Sequence, residues 1–342
     1  MTTPSYLDGV RGQPENLARS AATVRAALRG PVGEAVLDAL GSGSLAVFGM
    51  GASTAAATAF AAALRGAGRA SVAISAADLG DGVPSGLADG YLAVSQSGRS
   101  RETVEAMARV HGAARVALTN DPTSPLGAVA DAVIPLGCGE DSRVSTLSYT
   151  ATLQALGLLA DSLAGRPSAD WPALPDAVAA VLADDPEPIA AAFADVSCVD
   201  VVGAGLAAAS AAAAGLLLRE AAHLPTATYS TGEYLHGPLE SAGPGRGALL
   251  FGAGRELRLA ADLASYGAQV VLLTASANEL PGPPNLRVVR RPALSGLAGC
   301  VVEILPIQLA ASRLAERQGL PIELRHMPDD TKLDAGGRAV PS

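Results

Sequence analysis

The residues best suited to chemistry gather in three stretches of the chain. Ser95-Gln96-Ser97-Gly98-Arg99-Ser100-Arg101-Glu102-Thr103 sets four hydroxyls and a glutamine between an apolar run and a segment of helical length. Hydroxyls and backbone amides at a helix entrance can ring a phosphate without a lysine. A helix cap would account for Ser100 but not for three serines and a glutamine. Gly49-Met50-Gly51-Ala52-Ser53-Thr54 also follows an apolar run and opens a helical segment, another place where an anion can settle. Its third glycine position is Thr54, which departs from the dinucleotide fingerprint. The third stretch is Arg219-Glu220 near the end of an alanine-rich run, followed by Gly232-Glu233-Tyr234-Leu235-His236-Gly237-Pro238. A carboxylate near a helix C-terminus opposes the macrodipole by about 0.3–1 kcal/mol, so Glu220 invites a functional reading, with Arg219 as the plain electrostatic alternative. An isolated histidine is more often packed than catalytic. His111, His223 and His326 lack comparable surroundings and are expected to be structural or exposed.

Elements that could position these groups come in two sets. Gly49-Met50-Gly51 recurs as Gly203-Ala204-Gly205, 154 residues on. Leu92-Ala93-Val94 before the serine loop matches Leu249-Leu250-Phe251 before Gly252-Ala253-Gly254, an offset of 157. Val116-Ala117-Leu118-Thr119 matches Val271-Leu272-Leu273-Thr274, and Gln154 falls opposite Gln308, at offsets of 155 and 154. A repeat at one spacing predicts two copies of one domain. In the first copy, strands are expected at 45–48, 71–74, 90–95, 115–119 and 132–136, with helices over 53–66, 101–113 and 143–164. Continuously apolar strands alternating with helices predict an α/β fold with a parallel sheet covered on both faces. Ligands then belong beyond the carboxyl ends of the strands, where the first two chemical stretches lie. The second copy's Gly252-Ala253-Gly254 has lost every hydroxyl, so phosphate holding is expected in the first copy only. An N-terminal helix is expected over 8–29, entered through Gln13-Pro14-Glu15. The Pro- and Asp-rich segment 168–190 reads as the connection between the copies.

Composition narrows the partners. The chain has 342 residues, a formal charge of −9 and only 3% aromatic side chains, which argues against nucleic acid as a partner. Its 3 cysteines, Cys138, Cys198 and Cys300, form no CxxC pair, so neither a zinc site nor a disulfide framework is expected. The uncharged stretches 45–64 and 201–218 are long enough to span a membrane, but each breaks at Gly-x-Gly into a strand-like and a helix-like part, and no membrane association is expected. The first residues show no apolar signal core. A cytoplasmic location is expected.

Taken together, these motifs resemble the double SIS (sugar isomerase) domain family, most nearly the isomerase domain of glutamine–fructose-6-phosphate aminotransferase. The matching stretches are Gly51-Ala52-Ser53; Ser95-Gln96-Ser97-Gly98 with Ser100 and Thr103; Glu140 with Val144-Ser145-Thr146; Leu218-Arg219-Glu220; Gly232-Glu233 with His236-Gly237-Pro238; and Lys332. Gln13-Pro14 fits the family's entry helix. The resemblance implies two tandem flavodoxin-like SIS domains, at 31–167 and 191–320, with an N-terminal helical segment (1–30), a linker (168–190) and a C-terminal tail (321–342) closing over the site. It implies that Gly51, Ala52, Ser53, Ser95, Gln96, Ser97, Ser100 and Ser145 bind a phosphosugar. Glu220 would be the base that moves a proton between the first two sugar carbons. His236 would assist ring opening from the neighbouring subunit of a homodimer, and Lys332 would form an imine with the ketose carbonyl. No cofactor or metal is implied.

The chain departs from the family pattern at Leu147 and Leu217, where the family carries lysines, and it begins Met1-Thr2-Thr3 without a glutaminase nucleophile. The resulting expectation is an aldose–ketose isomerase that deaminates an amino-sugar phosphate. Two alternatives stay open: a deglycase of phosphorylated sugar–amine conjugates, and a non-catalytic sugar-phosphate sensor.

Overall fold

The computed structural model describes the chain except for residues 1–3, 81, 85, 279, 281, 327, 329, 335, 337 and 339–342, so the Met1-Thr2-Thr3 start lies outside the described residues. Three helices come first: α1 (Tyr6–Arg11), α2 (Gln13–Arg29) and α3 (Pro31–Leu40). Then follow β1 (Leu45–Gly49), α4 (Ala52–Gly66), β2 (Ser71–Ser75), β3 (Gly90–Val94), α5 (Arg101–Ala108), β4 (Ala114–Thr119), α6 (Pro125–Val129), β5 (Ala132–Pro135) and α7 (Leu147–Ala164). Helices α8 (Leu174–Leu182) and α9 (Glu187–Phe193) lead into β6 (Val199–Gly203), α10 (Leu206–Ala222), β7 (Thr226–Ser230), α11 (Thr231–Tyr234), β8 (Gly247–Phe251), α12 (Arg255–Ser265), β9 (Gln269–Thr274), β10 (Leu286–Arg290) and α13 (Gly296–Arg317).

The strands form two five-stranded parallel sheets. One runs β2-β1-β3-β4-β5 and the other, taken in the matching direction, β7-β6-β8-β9-β10. Registers repeat as well: Gly49 lies opposite Val94 in the first sheet, and Gly203 opposite Phe251 in the second. Each first strand turns into its helix through a left-handed glycine. Gly51 has φ 55° and ψ −126°, Gly205 φ 60° and ψ −122°. An L side chain resists this conformation, so the turn keeps its glycine beside both sheets.

Burial explains the sequence pattern. β1, β3, β6 and β8 are buried at every residue, whereas the edge strands β2, β7 and β10 are partly exposed. Inner parallel strands covered on both faces must be apolar throughout. The uncharged stretches 45–64 and 201–218 are thus β1–α4 and β6–α10. Among the described residues one helix, α13, has the length and apolar composition to cross a membrane; it packs against α8, α9 and α10 and is buried along most of its length.

The chain divides into two compact units that are not contiguous in sequence. One holds the first sheet and comprises Glu15–Glu140, Leu147–Ala169 and Arg325–Ser342. The other holds the second sheet and comprises Met1–Pro14, Asp141–Thr146 and Asp170–Leu324.

Candidate functional site

In the first-sheet unit, β3 delivers the serine loop to the carboxyl end of the sheet. Ser95 is 2% exposed, and its Oγ lies 3.3 Å from Ser100 Oγ. Ser100 holds the N-cap position of α5 but makes no side-chain cap. Its hydroxyl turns toward Ser95 instead, so the capping alternative does not account for it. The loop is held from behind: Asn120 N–H and Thr119 Oγ1 donate to the Gln96 carbonyl at 2.9 and 3.2 Å, and Leu126 N–H donates to the Gly98 carbonyl at 3.0 Å. Gly98 has φ 64°, and a Cβ there would stand 1.9 Å from Ser124 Oγ. Only glycine lets the loop lie this close to the β4–α6 connection.

The loop's outward groups are thereby left available. Ser97 Oγ accepts only from Arg99 N–H, at 3.3 Å, and the Gln96 side chain makes no hydrogen bond among the described residues. Ser53, in the first turn of α4, stands at the neighbouring strand end. A Cβ on Gly49 would lie 2.6 Å from the Val94 carbonyl oxygen and 2.8 Å from Ser53 Cβ, so the two candidate loops abut. Gly51 and Ala52 form the entrance to α4.

Lys332 comes to the same place from the far end of the chain. It pairs with Ser100 as an antiparallel bridge. Arg101 N–H donates to the Thr331 carbonyl at 3.1 Å, and Leu333 N–H to the Arg99 carbonyl at 2.9 Å. Leu333 is 7% exposed and enters the apolar cluster that contains Val104, Met107 and Phe48, while Arg101 pairs with Asp330 at 3.4 Å. The exposed Lys332 is thus carried on a strap with one buried residue and two backbone bonds beside it.

Glu220 and His236 belong to the second-sheet unit. Glu220 lies near the C-terminus of α10 and is partly buried, with no hydrogen bond among the described residues. Burial pushes its carboxyl up to about 7, against the opposing pull of the neighbouring Arg219 guanidinium. That is the range in which a carboxyl serves as a base and then as an acid at neutral pH. Tyr6 of α1 feels this charge. Burial, then Asp141, then Glu220 hold its phenol well above the usual range, and its hydroxyl donates to the Gln308 carbonyl at 2.9 Å.

Ser145 falls in this unit too, on the turn before α7. Asp141 governs that turn: its carboxylate accepts from Thr146 N–H at 2.8 Å, Thr146 Oγ1 at 2.6 Å and Ser142 N–H at 2.8 Å. Gln308 donates to the Thr146 carbonyl at 3.3 Å and accepts from Gln13 at 2.7 Å. Sequence reasoning passed over Asp141, whose spacing to Thr146 gives no recognised signal.

Glu233 and His236 have different duties in the Gly232–Pro238 stretch. Glu233 closes a capping box on Ser230, accepting from its amide at 3.0 Å and its hydroxyl at 2.7 Å. The Ser230 hydroxyl and amide hold the Glu233 carboxyl below the usual range. His236 is exposed at the end of α11, its amide donating to the Glu233 carbonyl. Of the other histidines, His111 and His326 are exposed, and His223 caps α10 at φ 49° with both ring nitrogens buried and without partners among the described residues.

The sequence and the fold have counterparts among known proteins. The glutamine–fructose-6-phosphate aminotransferase (isomerizing) of Aeropyrum pernix is 28% identical over 225 residues, which is 60% of this chain but 36% of that protein. The chain therefore spans well under half the length of this curated relative. Among solved structures, the C-terminal domain of glucosamine-fructose-6-phosphate aminotransferase from Francisella tularensis superposes with a TM-score of 0.78 at 18% identity, covering 93% of this chain and 97% of that one. Glucosamine-6-phosphate deaminase from Thermotoga maritima gives a TM-score of 0.71 at 19% identity, covering 94% and 98%. These likenesses extend the shared fold over both sheets. The family model for the SIS domain matches residues 41–162, the part of the chain that holds the serine loop.

Proposed function

We propose that the chain is a phosphosugar enzyme of the isomerase type, acting on an amino-sugar phosphate with net deamination to the ketose phosphate. The observation that carries this reading is the bridge between Lys332 and Ser100, which joins an amine to the loop best equipped to hold a phosphate. In this reading Ser53, Ser95, Gln96, Ser97 and Ser100 bind the phosphosugar, together with the backbone at Gly51 and Ala52 and with Ser145. Glu220 takes the proton from the second carbon of the open-chain aldose and returns it to the first. The product is an imine at the second carbon. The Lys332 amine adds there and displaces ammonia, and water then hydrolyses the lysine imine to release the ketose. His236 assists ring opening, supplied across a homodimer. The chemistry needs a positioned carboxylate whose pKa lies near neutrality, and burial provides one at Glu220.

The test is incubation with glucosamine 6-phosphate, with ammonia and ketose phosphate as readouts. Borohydride added with the ketose phosphate should attach the sugar's mass to the peptide containing Lys332, and Lys332→Ala should abolish turnover while leaving stability nearly unchanged. Full activity in Lys332→Ala would refute the imine. Release of a free amine from a phosphorylated sugar–amine conjugate, without ammonia from the amino sugar, would instead establish a deglycase. Saturable phosphosugar binding with no turnover of either substrate would establish a sensor.

A further inference from the structure

The carboxyl end of the second sheet has a position equivalent to the serine loop, and it is not empty. β8 occupies in its sheet the place of β3, with the same register against the first strand. Gly252 therefore stands where Ser95 stands in the other copy. The hydroxyls are gone, and a side chain from the following helix fills the space. Glu256, in the first turn of α12, is 4% exposed. Its Oε2 accepts from Gly254 N–H at 3.2 Å, and its Oε1 accepts from Thr231 Oγ1 at 2.6 Å. A Cβ on Gly252 would come within 2.5 Å of Oε2, so the carboxylate lies where a serine side chain would begin. Among the described residues no cation pairs with it. A buried carboxylate held by an amide, a hydroxyl and the N-terminal end of a helix has the surroundings of a bound oxyanion.

We propose that the turn between β8 and α12 is an oxyanion site that the chain fills with its own Glu256 carboxylate, and that this internal ligand positions the segment leading to His236. The link runs through Thr231. It is 2% exposed and is the first residue of α11, and the turn that follows the helix carries His236, whose amide donates to the Glu233 carbonyl. Holding the Thr231 hydroxyl fixes the entrance of a helix only four residues long, too short to set its own direction. The duplicated anion site has thus been turned inward: one copy keeps it open, and the other uses it as a bracket. Any effect on turnover rests on the role proposed for His236, whereas occupancy of the turn by Glu256 does not.

The test is chemical rescue of Glu256→Ala, read by thermal unfolding and by the imidazole resonances of histidine-labelled protein. With 4 histidines in the chain, His236 is assigned by its own substitution. Glu256→Ala should lower Tm and move the His236 resonances. Acetate or formate should reverse both changes, acetamide should reverse neither, and the unsubstituted protein should respond to none of them. Equal effects of acetate and acetamide would overturn the internal anion, and unmoved His236 resonances would overturn the positioning. Should Glu256→Ala fail to fold, Glu256→Gln keeps the shape and removes the charge. It should move the His236 resonances and ignore acetate, because its own amide fills the turn. Resonances and Tm matching the unsubstituted protein would refute the proposal. All these readouts are independent of substrate, so a failure here is separable from a failure of the proposed reaction.

Discussion

Replacing Glu220 by Gln separates a carboxyl's usefulness from its cost. Burial raises its pKa from 4.5 to about 7, so the native state holds the proton over a pH range in which the unfolded chain has released it. The group then contributes nothing below about pH 4.5. It destabilises progressively as pH rises toward 7 and reaches its full penalty above that. The shift corresponds to about 3 kcal/mol; because Glu220 is partly rather than fully buried, screening by solvent lowers the expectation to about 1–2 kcal/mol. Glu220→Gln has no charge to desolvate. Its stability relative to the unsubstituted protein should therefore be level at pH 4 and rise by about 1–2 kcal/mol between pH 5 and 8. Urea unfolding of both proteins across that range measures the difference, and subtraction removes the opposite slope of carboxylates such as Asp131, whose pKa Arg115 lowers. A constant offset at every pH would refute the burial argument. The same variant should bind a phosphosugar normally yet lose exchange of solvent deuterium into the first two sugar carbons, since a base contributes chiefly in the transition state.

Two further outcomes follow from the first-sheet unit. Replacing Ser95 and Ser97 together by Ala should weaken phosphosugar binding by on the order of 100-fold or more, through loss of hydrogen bonds to a charged group. Undiminished affinity by calorimetry would place the phosphate elsewhere. Leu333→Ala should cost the tail about 2–3 kcal/mol of local anchoring, seen as faster hydrogen exchange at the Arg101 and Leu333 amides; unchanged protection there would mean that the backbone bonds alone hold the strap.

Most of the first sheet could be read from the chain, because inner parallel strands leave unbroken apolar runs and left-handed turns leave glycines. The differences lie mainly at the ends of helices and in short helices. The helix expected over 143–164 starts at Leu147, since Asp141 binds Thr146 and holds residues 142–146 in a turn. The helix expected over 101–113 stops at Ala108. The N-terminal helix expected over 8–29 is two helices meeting at Gly12. α6 went unforeseen although Ser124 and Pro125 carry its signal, a capping serine before a first-turn proline. Prolines 175 and 188, taken as marks of a connection, likewise open α8 and α9. In the site, the serine loop was visible because its residue types are unusual at that spacing. The partners of Ser100, Leu333 and Glu256 were not, because each is fixed by an element distant in sequence.

The interleaving of the two units bears on how the molecule is made. α7 ends at Ala164, yet the first-sheet core contains Leu333, which leaves the ribosome only after the whole second sheet. The first sheet can form early in synthesis, but until Leu333 has emerged its apolar cluster stays one residue short and its serine loop lacks the bridge to Lys332. A nascent chain paused between the sheets would expose that apolar notch to chaperones or to other chains. Cutting the gene at the end of α7 would make the same state permanent. The intact chain should consequently refold in two steps: sheets first, then a slower docking of the tail that restores protection at Arg101.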